Sequence, residues 1–334
     1  MSSRTSSPAL LLAGDVGGTK TLVGLFERAA GRPRSLGVLT YPTAEYGSFT
    51  EILDAFARDI GRPLVVAAAA AGVAGPVVDA RARLTNIDWD INADEISVFA
   101  KTARVKLVND LEAMAASTDL LTRDEVVVLQ EGLPHPHGNA VVIAAGTGLG
   151  EAYVHRVAGR LVPLPSEGGH GDFAARTDRE IELLRALRAE YGRVEVEHVL
   201  SGPGLVNLHR FTHAGEACDQ VADVTPDDRP AAISQAALEG RCPACMEALS
   251  MFVSAYGAEA GNLALRGVAL AGVFVGGGIA PKILPALQDG RFIEAFRAKG
   301  LMSLLLEKVS VKVILSPEAG LLGAAIHAQD LLDA

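Results

Sequence analysis

Asp15-Val16-Gly17-Gly18-Thr19-Lys20 places a carboxylate, two glycines, a hydroxyl and a cation side by side. Glycines let a chain turn sharply and let a ligand approach main-chain N–H groups. An aspartate at the mouth of such a turn can hold a hydrated metal ion. Together these are the parts of a nucleotide-phosphate site. The stretch is not a G-x-x-x-x-G-K-[ST] loop, because Thr19 separates the last glycine from Lys20 and a strand-like run follows. An ordinary glycine hairpin with an incidental aspartate fits the same residues.

Two further glycine turns end apolar runs: Gly146-Thr147-Gly148-Leu149-Gly150 and Gly276-Gly277-Gly278. Gly146, Thr147 and Gly148 repeat the logic of Gly17, Gly18 and Thr19, so two such hairpins can hold phosphates through N–H groups and hydroxyls. The third turn suits a base or ribose passing close by, or equally tight helix–strand packing. Asn109-Asp110 sits where a short apolar run ends, and ligands of α/β folds gather outside the carboxyl ends of strands. A carboxylate there can take the proton of a hydroxyl attacking phosphorus. Either residue also suits a helix cap. Glu167-Gly168-Gly169-His170 sets an acid and an imidazole on one loop, a pairing suited to the hydroxyls of a polyol, although a plain surface loop reads the same way. Glu197 lies just upstream of Gly202-Pro203-Gly204, a less specific signal.

The elements that position these residues alternate between period-2 and period-3.6 patterns, which implies an α/β protein. Leu10–Ala13 and Leu22–Phe26 flank the first turn as strands. Phe49, Leu53, Phe56 and Ile60 mark a helix stopped by Gly61. Leu64 to Ala71, Val105 to Val108, Val126 to Leu129, Ala140 to Ala145, Val268 to Val275 and Val311 to Leu315 read as strands. Thr177-Asp178-Arg179-Glu180 has the form of a capping box. Ser316 and Pro317 are expected to open a final helix running to about Leu332. The strand–turn–strand pattern at residues 10–26 recurs at 140–154, a weak internal repeat.

A chain of 334 residues, 49% hydrophobic and 21% charged, suggests about two domains and a large core. Its net charge of −10 argues against nucleic-acid or anionic-membrane partners. Met1–Ser7 is polar and lacks the apolar stretch of a signal peptide, so a cytoplasmic enzyme is expected. Cys218, Cys242 and Cys245 are too few for a disulfide framework. Cys242-Pro243-Ala244-Cys245 has metal-like spacing without an evident second pair of ligands, so these read as structural thiols. His135 and His137 read as exposed bystanders, and Trp89 as either a cleft residue or a packing one.

In this order the pieces resemble the bacterial ATP-dependent glucokinase family of the actin/hexokinase/sugar-kinase superfamily. The matching stretches are GDVGGTKT at 14–21, TNIDW at 85–89, LVNDLEA at 107–113, AAGTGLGEA at 144–152 and PSEGGHGDFA at 165–174. EHVLSGPGLVNL at 197–208, GNLAL at 261–265, FVGGGIAPK at 274–282 and PEAGLLGAA at 317–325 complete the set. The resemblance spans nearly the whole chain.

It implies a two-domain actin-like ATPase (ribonuclease H-like) fold with an interdomain cleft. Residues 1–117 with 316–334 would form the small domain and 118–315 the large one. Asp110 would be the base acting on the sugar 6-hydroxyl. Asn109, Asp110, Glu167, His170 and Glu197 would bind glucose. Gly14, Asp15, Val16, Gly17, Gly18 and Thr19, with Gly146, Thr147 and Gly148, would hold the ATP phosphates. Gly276, Gly277 and Gly278 would lie on the adenosine side, and Asp15 would position Mg²⁺ through water. A homodimer is expected. Related repressor–kinases carry a cysteine-rich zinc loop after their histidine, whereas Gly171-Asp172-Phe173 stands here. A kinase of another hexose and a phosphohydrolase of the same superfamily are the alternatives. A DNA-binding sugar sensor fits poorly with the acidic charge.

Overall fold

The computed structural model describes residues 9–333 except 85–86, 134, 136 and 158–159. Thr85 and Asn86 of the TNIDW stretch, Pro136 and Met1–Ser7 therefore lie outside the described residues. The chain forms two compact units: residues 1–122 with 161–165 and 316–334, and residues 123–160 with 166–315.

The first unit contains strands β1 (Leu10–Val16), β2 (Lys20–Glu27), β3 (Arg34–Pro42), β4 (Ala68–Val73) and β8 (Val105–Asn109), ordered β3-β2-β1-β4-β8. β1 pairs antiparallel with β2 and parallel with β4, which pairs parallel with β8. Side chains of a strand alternate between faces. Leu11 and Ala13 accordingly pack against the helix Ala319–Asp330, while Leu12 and Val16 join the opposite core with Phe49, Ile52 and Phe56 of the helix Phe49–Asp59. A small meander of β5 (Val77–Val78), β6 (Arg81–Arg83) and β7 (Asp90–Asn92) leads into the helix Ala93–Ala100. Trp89 is buried in the same core, so it packs there. The helix Ala319–Asp330 is rich in glycine and alanine for a geometric reason. A Cβ on Gly323 would overlap the Ala113 carbonyl of the helix Asp110–Ser117.

The second unit contains β9 (Val126–Gln130), β10 (Ala140–Ala145), β11 (Leu149–Val157), β13 (Gly272–Gly276) and β14 (Val311–Ile314); β12 (Arg160–Ser166) follows β11 in the chain, and its residues 161–165 belong to the first unit. β11, β10, β13, β14 and β9 are neighbours in that order. β10 pairs antiparallel with β11 and parallel with β13, and β13 pairs parallel with β14. The hairpin-plus-parallel-strands pattern of β1, β2, β4 and β8 thus recurs, which gives the weak sequence repeat a structural meaning. The helix Pro243–Gly267 runs through the core, with Phe252, Tyr256 and Leu263 fully buried. No helix of the described residues is long and apolar enough to cross a membrane.

Several expected boundaries move. Pairing starts at Ala68, because the burial of Leu64 and Val66 reports packing rather than a ladder. Val268 is the left-handed cap of the helix before it, at φ 47°, so β13 starts only at Gly272. The last helix starts at Ala319; the Ser316 hydroxyl accepts the Glu318 N–H, and Pro317 occupies the turn ahead. Thr177 caps the Glu180 N–H, but the Glu180 carboxylate takes the Arg176 N–H instead of closing the box.

Candidate active site

The first glycine turn is braced from outside its own sequence. Gly17 N–H donates to the Lys20 carbonyl at 3.1 Å, closing the hairpin. The Thr43 hydroxyl donates to the Gly17 carbonyl at 2.8 Å and lies 2.9 Å from the buried Thr21 hydroxyl. Thr43, after the edge strand β3, was not singled out from sequence. Gly14, Asp15 and Val16 belong to β1, whereas Gly17, Gly18 and Thr19 form the turn. The Val16 side chain is buried in the core and leaves only its backbone for a ligand. Gly14 is required by packing, since a Cβ there would stand 2.7 Å from the Phe49 ring. Thr19 is exposed.

Asp15 and Asp110 stand at the carboxyl ends of β1 and β8, on either side of β4. Asp15 lies opposite Gly72 of β4, and the adjacent Val73 lies opposite Asn109. A Cβ on Gly72 would be 2.8 Å from that of Ala113, so glycine lets the helix Asp110–Ser117 sit close to the sheet. Asn109 caps that helix. Its side-chain oxygen accepts Leu111 N–H at 2.9 Å, and its amide donates to the Gly75 carbonyl at 3.2 Å. Asp110 is the first helical residue, half-buried, where the helix dipole favours a carboxylate. Burial, followed by the negative charge of Asp110, pushes the pKa of Asp15 up to about 7, against the opposing pull of Lys20. Gly320 makes room for the Asp15 carboxylate, because a Cβ there would lie 2.7 Å from Oδ2. Two neighbouring carboxylates, one of which raises the cost of ionising Asp15, are hard-oxygen donors of the kind Mg²⁺ takes, so this donor set fits that ion.

In the second unit, the Gly146–Gly148 turn is closed by Gly146 N–H on the Gly148 carbonyl at 2.8 Å. Glu197 is tied to this turn: its Oε2 accepts Leu149 N–H at 2.7 Å and leaves no room for a Cβ on Gly148. Thr147 is exposed at the tip. The Gly276–Gly278 turn lies under the end of β10. Gly277 has φ +83°, and a Cβ on it would be 2.3 Å from the Ala145 carbonyl. The fully buried Tyr256 hydroxyl joins the two turns, accepting Ala145 N–H at 3.1 Å and lying 3.4 Å from the Gly276 carbonyl. Tyr256 is a further residue that sequence did not point to.

Glu167, Gly168, Gly169 and His170 make a single 3-10 turn at which Glu167 and His170 are exposed. His170 Nδ1 lies 2.8 Å from Glu195 Oε2. That hydrogen bond, with the charges of Glu197, Glu195 and Glu167, raises the His170 pKa against the opposing effect of partial burial. Arg193 holds the arrangement by donating to Glu195 Oε1 at 2.9 Å and to the His170 carbonyl at 2.6 Å. Glu195 was missed from sequence; the acids at 195 and 197, alternating with Val194 and Val196, were the available signal. The structure thus groups Asn109, Asp110 and Asp15 within one unit. It groups Glu167, His170, Glu197 and the Gly146–Gly148 and Gly276–Gly278 turns within the other.

Known proteins with this pattern are consistent in kind. The glucokinase family model matches residues 12–331. The glucokinase of Synechocystis sp. is 38% identical, with 95% of this chain and 97% of that protein covered. The crystal structure of glucokinase from an Antarctic psychrotroph has a TM-score of 0.84 at 30% identity, covering 97% of this chain and all of that one. A ROK family glucokinase from Streptomyces griseus, solved with glucose and AMPPNP, has a TM-score of 0.62 at 21% identity over 96% of this chain and 99% of that one, a likeness of fold. The architecture is the expected α/β actin-like ATPase fold, and the chain belongs to the glucokinase family.

Proposed function

We propose that this chain transfers the γ-phosphoryl group of ATP to the 6-hydroxyl of glucose. The observation that carries the reading is Asp110, half-buried at a strand end and a helix start, with Asp15 of β1 in its field. Asp110 accepts the proton of the 6-hydroxyl as that oxygen attacks phosphorus in line. Asn109 fixes the backbone from which Asp110 projects. Glu167 and His170 bind sugar hydroxyls. Glu197 couples sugar to phosphate, since one of its oxygens already supports the second glycine turn. The N–H groups of both glycine turns offset phosphate charge, and Gly276–Gly278 lies on the nucleotide side. Mg²⁺ bound with ATP would be held by Asp15 through water and would supply further charge neutralisation. A cytoplasmic homodimer feeding glycolysis completes the reading.

The test is ATP turnover with and without glucose, then over a panel of hexoses. Glucose-dependent turnover supports the kinase; equal turnover without sugar means a phosphohydrolase, and preference for another hexose corrects the substrate. Asp110→Asn should lower kcat by about 10²–10⁴ while glucose still binds. Near-normal kcat in that variant removes Asp110 from the role.

A further inference from the structure

Five metal-type donors meet in the second unit, away from the glycine turns. His209 and His213 lie at the carboxyl end of the helix Gly202–Thr212, Cys218 in the irregular segment after it, and Cys242 and Cys245 at the start of the helix Pro243–Gly267. One ligand atom each of His209, His213, Cys218 and Cys245 falls within 4.8 Å of all the others. The spacing is that of a first coordination shell. Bonds of about 2.3 Å to a tetrahedral centre place two sulfurs about 3.8 Å apart, and the Sγ atoms of Cys218 and Cys245 are 3.9 Å apart. All three cysteines are free thiols.

The two imidazoles are prepared in different ways. His213 Nδ1 lies 2.8 Å from the His209 carbonyl. A carbonyl only accepts, so Nδ1 carries the proton and Nε2 keeps its lone pair, which faces the Cys242 thiol at 3.4 Å. This is the ligand-ready tautomer, oriented by a backbone hydrogen bond. His209 Nε2 is buried with no hydrogen-bond partner among the described residues. Such an orphan costs free energy unless something else satisfies it. The rings of His209 and His213 sit 3.9 Å apart, as one helical turn places them on the same face. Cys245 is fully buried and His213 is 9% exposed.

We propose that His209, His213, Cys218 and Cys245 bind one zinc ion as a closed, tetrahedral, structural site. Two thiolates and two imidazoles select a borderline-soft ion over Mg²⁺ or Ca²⁺. Four protein ligands leave no position for water or substrate, so the site is structural. The ion ties the end of one helix and the start of another to residues 213–228, a long connection of turns with little regular structure. The tied helix begins at Gly202, whose N–H donates to the Gly146 carbonyl of the second glycine turn at 2.8 Å. Cys242 Sγ lies 3.4 Å from His213 Nε2 but outside the quartet.

The experiment is metal analysis of the full chain, purified without a metal-affinity tag, reduced, supplied with zinc and dialysed. About one zinc per chain is expected, with a lower melting temperature after chelation. Cys218→Ser and His209→Gln should each weaken retention at least tenfold, and Cys242→Ser should retain the ion. Cobalt substitution should give a tetrahedral thiolate spectrum whose charge-transfer intensity falls by roughly half in Cys218→Ser, since one of two thiolates is lost. A reduced parent that holds no zinc, or full retention by the Cys218→Ser/His209→Gln double variant, overturns the proposal. Loss of zinc in Cys242→Ser with retention in His209→Gln overturns the ligand set.

Discussion

Glu151 of β11 offers a quantitative test of the electrostatics beneath the Glu167–His170 turn. It is 1% exposed, and neither carboxylate oxygen has a hydrogen-bond partner among the described residues. Gly168 of the Glu167–His170 turn lies directly over it, where a Cβ would stand 2.1 Å from Oε2. Burial first, then the charge of Glu259, pushes its pKa from 4.5 to about 7, with Arg266 pulling the other way. The folded chain therefore holds this proton more tightly than the unfolded chain does. The associated stability is complete below the unfolded value and is lost as pH rises through about 7. At about 1.4 kcal/mol per pH unit, the loss between about pH 5 and about pH 8 is about 2.5 kcal/mol. Glu151→Gln keeps the shape of the neutral acid and cannot ionise. The unfolding free energy of the variant relative to the parent should thus rise by about 2.5 kcal/mol over that interval. Urea unfolding followed by circular dichroism measures it. Trp89, the only tryptophan, lies in the other unit, so its fluorescence transition is an internal control. Parallel stability curves for variant and parent across this pH range would refute a buried, proton-retaining Glu151.

Three further outcomes follow from the same geometry. Tyr256→Phe strands the buried Ala145 N–H and should cost about 1–3 kcal/mol of unfolding free energy; an unchanged value means the hydroxyl does not join the turns. Gly277→Ala meets both a positive φ and the Ala145 carbonyl, so calorimetry should show weakened ATP binding with glucose binding kept, and equal loss of both would place this turn elsewhere in the site. Glu195→Gln removes the main cause of the raised His170 pKa, so the imidazole should titrate at lower pH by NMR; an unmoved titration would assign the elevation to other groups.

The parts of the site that could be read along the chain are those governed by local rules. Gly17, Gly148 and Gly277 announce turns where a Cβ would crowd the Lys20 carbonyl, the Glu197 carboxylate and the Ala145 carbonyl, and at Gly277 φ is positive as well. Asp110 was legible because a strand ends and a helix starts around it. The same rules misplaced the start of β13, since an apolar run such as Val268–Val275 records residue type and not hydrogen bonding, and Val268 is an exposed helix cap. They also placed the last helix two residues early, because a serine and a proline can open a turn as readily as a helix.

By itself the sequence determined the alternation of strands and helices, the three glycine turns and the acid at the end of β8, all set by neighbours a few residues apart. Tertiary structure alone decided that Thr43 braces the first turn and that Tyr256 joins the other two. It also decided that Glu197 serves a glycine turn and that Glu195 orients His170. The meeting of His209 and His213 with Cys218 and Cys245 is of the same kind. His209 and His213 are one helical turn apart, but Cys218 reaches them only as the irregular segment folds back, and Cys245 only when the start of a separate helix packs beside theirs. Side-chain direction and long-range packing fix these contacts, and neither is written in local spacing.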